Sequence, residues 1–353
     1  MGVLRYLLIF VPVAIIAELA KWNEVIIFVT AALAVVPLAG LMGESTEVLA
    51  EKTGPRIGGL LNATLGNAAE LIITLFAISA GLIDLVKASI IGSILGNLLL
   101  VLGLSILAGG LKNGLQKFDR SHVGLDATMT ILAVIAISVP SIFNAAIEPD
   151  TTRVEELSLT AAIAMLVIYG LSILYQLRSR TEEEVDAGPA VKPTHKVHWT
   201  TKQALGVLVL ATIGIALMSE FLVGSVEPVT KQLGFSEFFV GIIIIPIIGN
   251  VAEHMVAVQV AMKNKMDLSL SIALGSSLQI ALFVAPVLVF LSLLLGHPLT
   301  LEFNGFEMIS LTAAAVIAAF VAIDGESNWL EGAMLMIVYA IVALAFFFLP
   351  VAI

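Results

Sequence analysis

The chain has 353 residues, of which 59% are hydrophobic and 12% charged, with a mean hydropathy of +1.07. This composition excludes a soluble globular domain, and the absence of cysteine excludes disulfides and thiolate metal sites. The net charge of −10 says little in a membrane chain, where the distribution among loops outweighs the sum.

A transmembrane helix needs about 20 apolar residues, and eleven runs of that order can be marked along the chain. They lie near 3–20, 24–42, 57–81, 84–108, 123–145, 157–177, 204–222, 238–262, 267–295, 305–323 and 330–352. The first, with Arg5 ahead of it, is read as a leading helix and not as a cleaved signal peptide. The runs predict an all-α polytopic membrane protein: a leading helix (1–23), a five-helix unit (24–178), a hydrophilic linker (179–203) and a second five-helix unit (204–353). The linker carries the acidic run Glu182 to Glu184 and is read as a solvated cytoplasmic segment. Of the 17 Lys and Arg residues, only Lys21, Lys87, Arg153 and Lys231 fall on the side opposite the N terminus. The positive-inside rule then predicts a cytoplasmic N terminus and an outside C terminus.

The stretch "GNAAELI" at 66–72 recurs as "GNVAEHM" at 249–255, 183 residues later. The same offset pairs Gly58 with Gly241, Glu70 with Glu253, and "GSIL" (92–95) with "GSSL" (275–278), and it brings Asn97 near Gln279. Two helices per half keep one register, the mark of an internal repeat. With five spans in each half, the second copy enters the membrane from the opposite face. Inverted repeats with polar, Gly- and Pro-interrupted helices at matching places point to a secondary transporter with its site between the halves.

Glu70 and Glu253 fall near the middle of their runs. A bare carboxylate there costs about 3 kcal/mol even on lenient insertion scales, so it must be protonated, paired or facing a wet cavity. No Lys or Arg lies at comparable depth to pair with it. On a continuous helix, Gly66, Asn67 and Glu70 share one face, as do Gly249, Asn250 and Glu253. Glycine there weakens the helix and lets a ligand approach the backbone, and Pro246 favours a break. Ser93, Asn97, Ser276, Ser277 and Gln279 add neutral oxygen donors, although Ser93 and Ser276 would equally suit close helix packing. His254 has two open readings, a gating or proton-carrying group beside Glu253, or a hydrogen bond to a neighbouring helix.

Two carboxylates with amide, hydroxyl and backbone oxygens suit a hard cation, Ca²⁺ more readily than Mg²⁺. One Ca²⁺ or two protons cancel the charge of −2 equally well, while an empty ionised pair is too costly to carry past an apolar barrier. Burial disfavours a charged carboxylate in general, so protons compete for such a site near neutral pH.

The stretches "TEVLAEKTGPRIGGLLNATLGNAAELI" (46–72), "GSILGNLLLVLG" (92–103), "GNVAEH" (249–254) and "GSSLQIALF" (275–283) resemble the signature repeats of the Ca²⁺/H⁺ (cation/proton) exchangers of the cation/Ca²⁺ exchanger superfamily. The resemblance runs in order over nearly the whole chain. It implies eleven helices, one leading and two inverted sets of five, and glutamates at 70 and 253 that bind Ca²⁺ and protons in turn. The "GTS-x-PE" type sequence of the Na⁺/Ca²⁺ branch is missing. The expectation is therefore a proton-driven Ca²⁺ antiporter, not an enzyme and without a cofactor, in the plasma membrane of a prokaryote. Its partners are Ca²⁺, H⁺ and the lipid bilayer, without nucleic acid; a homo-oligomer is compatible with this reading. A Na⁺-coupled exchanger and a passive cation channel with a glutamate filter are the competing readings.

Overall fold

The computed structural model describes residues 4–146, 151–183 and 199–349. A 3-10 turn, Leu4–Ile9, leads into α1 (Phe10–Leu19), followed by α2 (Glu24–Leu65), α3 (Ala68–Ser79) and α4 (Ile83–Leu95). A π-helical stretch, Gly96–Val101, joins α4 to α5 (Leu102–Asn113), and α6 (Arg120–Ala146) and α7 (Thr151–Glu183) complete the first half. The second half holds α8 (Thr201–Gly224), α9 (Val226–Leu233) and α10 (Glu237–Phe239), then a π stretch Val240–Ile244 and α11 (Ile245–Ala261). After α12 (Met266–Gln279) a third π stretch, Ile280–Val284, opens into α13 (Ala285–Leu294), and α14 (Gly305–Ile323) and α15 (Trp329–Phe347) follow. Among the described residues the one ribbon pairs β1 (Gln116–Lys117) antiparallel with β2 (Glu326–Ser327).

Among the described residues nine helical stretches are long and apolar enough to cross a membrane. The expected runs at 3–20 and 57–81 are instead the short α1 behind its 3-10 turn and the interrupted α2–α3 pair. Two boundaries differ from the sequence reading. The second run does not stop at 42 but stays helical to Gly54, where φ of +83° and ψ of 170° bend α2 sharply. Gly54 can take that conformation because it has no Cβ, and Pro55 after it disfavours a helical residue at that place. The linker read over 179–203 is helical to Glu183 as the end of α7 and again from Thr201, where Thr200 and Gln203 form a capping box. Residues 184–198, with Glu184, Lys192 and Lys196, lie outside the described residues.

The core crosses between the halves. α2 packs along α8, α15 on α5, α14 on α6 and α13 on α7. The leading helix rests against α2 and α8, and its Arg5 pairs with the nearly buried Glu44 of α2 at 2.8 Å. At the centre, α3 touches α2, α4, α8, α11 and α13, while α11 touches α2, α3, α4, α5 and α12. This arrangement sets the two glutamate-bearing helices against each other.

Candidate cation site

The two "GN" copies fold differently. In the first, Gly66 remains helical but Asn67 leaves the helix at φ −102° and ψ 29°, so α2 ends and α3 begins anew. Gly66, Asn67 and Glu70 therefore do not share one continuous helical face, as the sequence suggested; Asn67 is the N-cap of α3 and Glu70 stands in its first turn. In the second copy α11 runs unbroken from Ile245 through Gly249, Asn250 and Glu253 to Ala261. Pro246 does not break it. The missing N–H of Pro246 is absorbed by the π stretch just before it, at 240–244.

The break is held open from the other half of the chain. Asn67 makes no capping bond; its Nδ2 donates to Gln279 Oε1 at 2.6 Å and its Oδ1 accepts from Ser276 Oγ at 3.1 Å. Ser276 Oγ in turn accepts from Asn97 Nδ2 at 3.0 Å. A Cβ on Gly66 would stand 2.9 Å from Gln279 Oε1, so the missing side chain is what admits the glutamine amide. The resulting chain of bonds, Asn97 to Ser276 to Asn67 to Gln279, stitches the first half to the second.

Glu70 is 5% exposed and its Oε1 has no hydrogen-bond partner. It lies over Gly249, where a Cβ would meet Glu70 Cγ at 3.2 Å and Oε1 at 3.5 Å. Asn250 faces the same carboxylate and donates to the Pro246 carbonyl at 3.1 Å. Glu253 is partly exposed, with Oε2 sealed and unpartnered, and its carboxylate accepts from Ser276. The single hydroxyl proton of Ser276 is thus drawn both to Glu253 and to Asn67. The charge of Glu253 bears on Glu70, and among the described residues no Lys or Arg acts on either carboxylate.

The sequence-selected residues divide accordingly. Glu70, Glu253, Asn67, Asn250, Ser276, Gln279 and Asn97 meet in one cluster of oxygens, with Gly66 and Gly249 as the bare surfaces beneath them. Ser277 turns back to the Ala273 carbonyl of its own helix at 3.0 Å, and Ser93 is buried on α4. His254 has Nε2 sealed without a partner and points about 100° around α11 from Glu253, so the two do not share a face. Among the described residues no three His, Asp or Glu side chains gather as a metal site. A cation held here would draw its remaining ligands from amide, hydroxyl and backbone oxygens, the set that suits a hard ion.

Sequence reasoning missed the π stretches, and a signal for two of them was present: Pro246 and Pro286 each stand two residues after one. It also passed over Glu307, a buried carboxylate on α14 whose Oε1 has no partner. Its Oε2 accepts from the Asn304 backbone N–H at 2.8 Å in a capping box, which "NGFE" at 304–307 announces.

The sodium/calcium exchanger protein family matches residues 23–178 and 203–348. A Ca(2+)/H(+) antiporter of Aphanothece halophytica is 46% identical over 98% of this chain and 96% of its own length. The Ca(2+)/H(+) antiporter ChaA of Bacillus subtilis is 41% identical over 96% of this chain and 97% of its own. Among solved structures, native YfkE superposes with a TM-score of 0.86 at 39% identity, over 98% of this chain and 100% of its own. The H+/Ca2+ exchanger CAX gives a TM-score of 0.75 over 98% of this chain and 91% of its own; at 16% identity this is a likeness of fold alone. With both halves matched by one family and full-length relatives above 40% identity, the chain belongs to the sodium/calcium exchanger protein family.

Proposed function

We propose that the protein is a Ca²⁺/H⁺ antiporter that exports Ca²⁺ from the cytosol, with Glu70 and Glu253 binding Ca²⁺ and protons in turn. The observation that carries this reading is the meeting of two carboxylates from opposite halves, each with a sealed and unpartnered oxygen, amid neutral oxygen donors. Relatives named Ca(2+)/H(+) antiporters support it over a Na⁺-coupled exchanger. The pair can change sides neutralised by one Ca²⁺ or by two protons; ionised and empty, it is held back by the cost of unpaired buried charge. The test is ⁴⁵Ca²⁺ uptake into proteoliposomes with an imposed pH gradient. Uptake should collapse with a protonophore and be indifferent to replacing K⁺ with Na⁺; uptake that needs Na⁺, or that persists without a pH gradient, refutes the proposal.

The architecture proposed with it has eleven spans: one leading helix and inverted units at 24–178 and 204–353, with the N terminus cytoplasmic in a prokaryotic plasma membrane. Three observations support the two-fold repeat, and the five spans of each unit are what make it inverted in this reading. The π stretches 96–101 and 280–284 follow α4 and α12 at matching places. The contact of α15 with α5 is mirrored by that of α7 with α13, and the contact of α12 with α6 by that of α4 with α14. The family matches twice, over 23–178 and 203–348.

Asn67 holds the broken helix to the opposite half, so Asn67→Ala should release Gln279 and Ser276 together. Loss of a group that orients metal ligands typically costs 10- to 100-fold in affinity. The half-saturation for Ca²⁺ is expected to rise by about 10-fold or more, measured by initial ⁴⁵Ca²⁺ uptake; an unchanged value would assign Asn67 to helix packing.

A two-proton cycle moves no net charge. The Ca²⁺ gradient at which net flux reverses should then be independent of membrane potential, measured in vesicles clamped with K⁺ and valinomycin. His254 stands off the glutamate face, which favours two protons over three. A reversal point that shifts with voltage, and ceases to shift in His254→Gln, would identify the imidazole as a third carrier.

A further inference from the structure

The two helices that carry the glutamates end in the same turn, and only one of the turns is tied to the opposite half. The 183-residue register sets Ile78 and Gly81, between α3 and α4, against Ala261 and Asn264, between α11 and α12. Gly81 N donates to the Ile78 carbonyl at 2.9 Å and Asn264 N to the Ala261 carbonyl at 3.0 Å, with φ of +78° and +58° at the two donors. Locally the turns are copies.

Their surroundings differ. The loop after α5 reaches the second half, where Gln116 Nε2 donates to the Ala261 carbonyl at 2.9 Å and to Asn264 Oδ1 at 3.1 Å, and Asn113 Nδ2 donates to the same carbonyl at 3.2 Å. The Asp119 backbone N–H donates to the Asp267 carboxylate at the start of α12. In the other half the register puts Gly296 and Leu299 where Asn113 and Gln116 stand, and neither has a side-chain donor. There the loop meets Gly81 through the His297 ring, 3.6 Å from a Cβ placed on the glycine, and bonds α4 further on, where Lys87 Nζ donates to Thr300 Oγ1 at 3.3 Å. Among the described residues no side chain of the second half donates to the Ile78 carbonyl.

Gln116 is fully buried and its Oε1 has no partner. A Cβ on Gly109 would strike that oxygen, so the glycine is what makes the socket, and the Gln116 backbone is held in turn by the pairing of β1 with β2. A leucine, as at matched Leu299, would fill the socket without leaving a buried oxygen unsatisfied, which costs stability. What the amide supplies in exchange is its donor group, and that group is directed at the end of α11. This helix is unbroken from Ile245 to Ala261, and Glu253 stands about 12 Å along it from Ala261, so a hold on its end is carried to the carboxylate.

We propose that Gln116 is a positioning residue for Glu253: with Asn113 it fixes the end of α11 to the first half and so holds the carboxylate at the height at which it meets Ser276. Glu70 has no counterpart of this tie, because α3 starts at the Asn67 break and its far end receives no side-chain donor from the opposite half. The two carboxylates are therefore unequally held, one on an anchored rod and one on a short helix fixed at Asn67. The inference rests on the reading of the glutamate pair as the cation site.

Gln116→Leu removes the donors and nearly keeps the volume. Its half-saturation for ⁴⁵Ca²⁺, measured at equilibrium in detergent, should rise about 10-fold, the lower end of what loss of a ligand-orienting group costs, while the exchange rate at saturating Ca²⁺ is retained. Asn113 is exposed at a helix end, so Asn113→Ala folds whatever becomes of Gln116→Leu, and it should raise the half-saturation in the same direction by less. Hydrogen exchange reads the tie without reference to the ion. In the unmodified protein the Asn264 and Lys265 amides should be protected about 10-fold more than those of Gly81 and Leu82, as one or two further hydrogen bonds provide, and in Gln116→Leu the difference should vanish. Equal protection of the two turns overturns the proposal. So does a Gln116→Leu protein that loses thermal stability with its half-saturation unchanged, or, if that variant does not fold, an unchanged half-saturation in Asn113→Ala. Failure of the Ca²⁺/H⁺ reading appears separately, as flux of the unmodified protein that ignores the pH gradient, and leaves the protection factors as they are.

Discussion

Glu70→Gln and Glu253→Gln are each expected to abolish Ca²⁺/H⁺ exchange while leaving the protein folded. With one carboxylate gone the site carries −1, which neither holds Ca²⁺ tightly nor takes up two protons. The two variants are expected to be equally inactive because neither carboxylate has a substitute: among the described residues no Lys or Arg compensates their charge and no third acidic residue joins the cluster. Stability should not fall, because a neutral amide costs less in the membrane than a charge and because Glu70 Oε1 and Glu253 Oε2 have no hydrogen bonds to lose. The measurement is pH-gradient-driven ⁴⁵Ca²⁺ uptake beside thermal unfolding of the purified variants. Normal flux in either variant would remove the glutamates from the transport cycle.

Gly249→Val is expected to lower exchange by about 100-fold, the upper end of what overpacking a tight contact costs. The reason is the 3.2 Å between a Cβ at that place and Glu70 Cγ. A single Cβ fits with a small shift of a flexible side chain, but the two γ-methyls of valine must displace the Glu70 carboxylate from the face it shares with Asn250. Gly249→Ala is therefore expected to retain more activity than Gly249→Val. Comparison of initial uptake rates with equilibrium Ca²⁺ binding checks the argument: displacement of Glu70 weakens binding as well as rate. Equal rates in the alanine and valine variants would mean that Glu70 is not confined by Gly249.

The sequence alone determined the membrane class, the approximate places of the helices and the repeated pair of glutamates within apolar runs. Hydrophobicity over 20 residues and a repeated "GNxxE" are local properties that need no knowledge of neighbours. The 183-residue register also stood in the sequence, and with it the pairing of Gly66 with Gly249 and of Gly92 with Gly275. The sequence could not say that the two copies behave differently. The same "GN" is broken at Gly66 and Asn67 and continuous at Gly249 and Asn250, and local propensity is the same at both. The difference comes from what approaches each glycine: the Gln279 amide, which binds Asn67 and holds it out of the helix, or the carboxylate arm of Glu70, which lies across an intact one. For the same reason only the tertiary structure turned Ser277 inward to its own helix and Ser276 toward Asn67, and sealed Gly92 while leaving Gly275 open. A hydrogen bond or a backbone contact between residues some 200 positions apart leaves no trace in the periodicity of either segment, because the energy that selects it belongs to the pair.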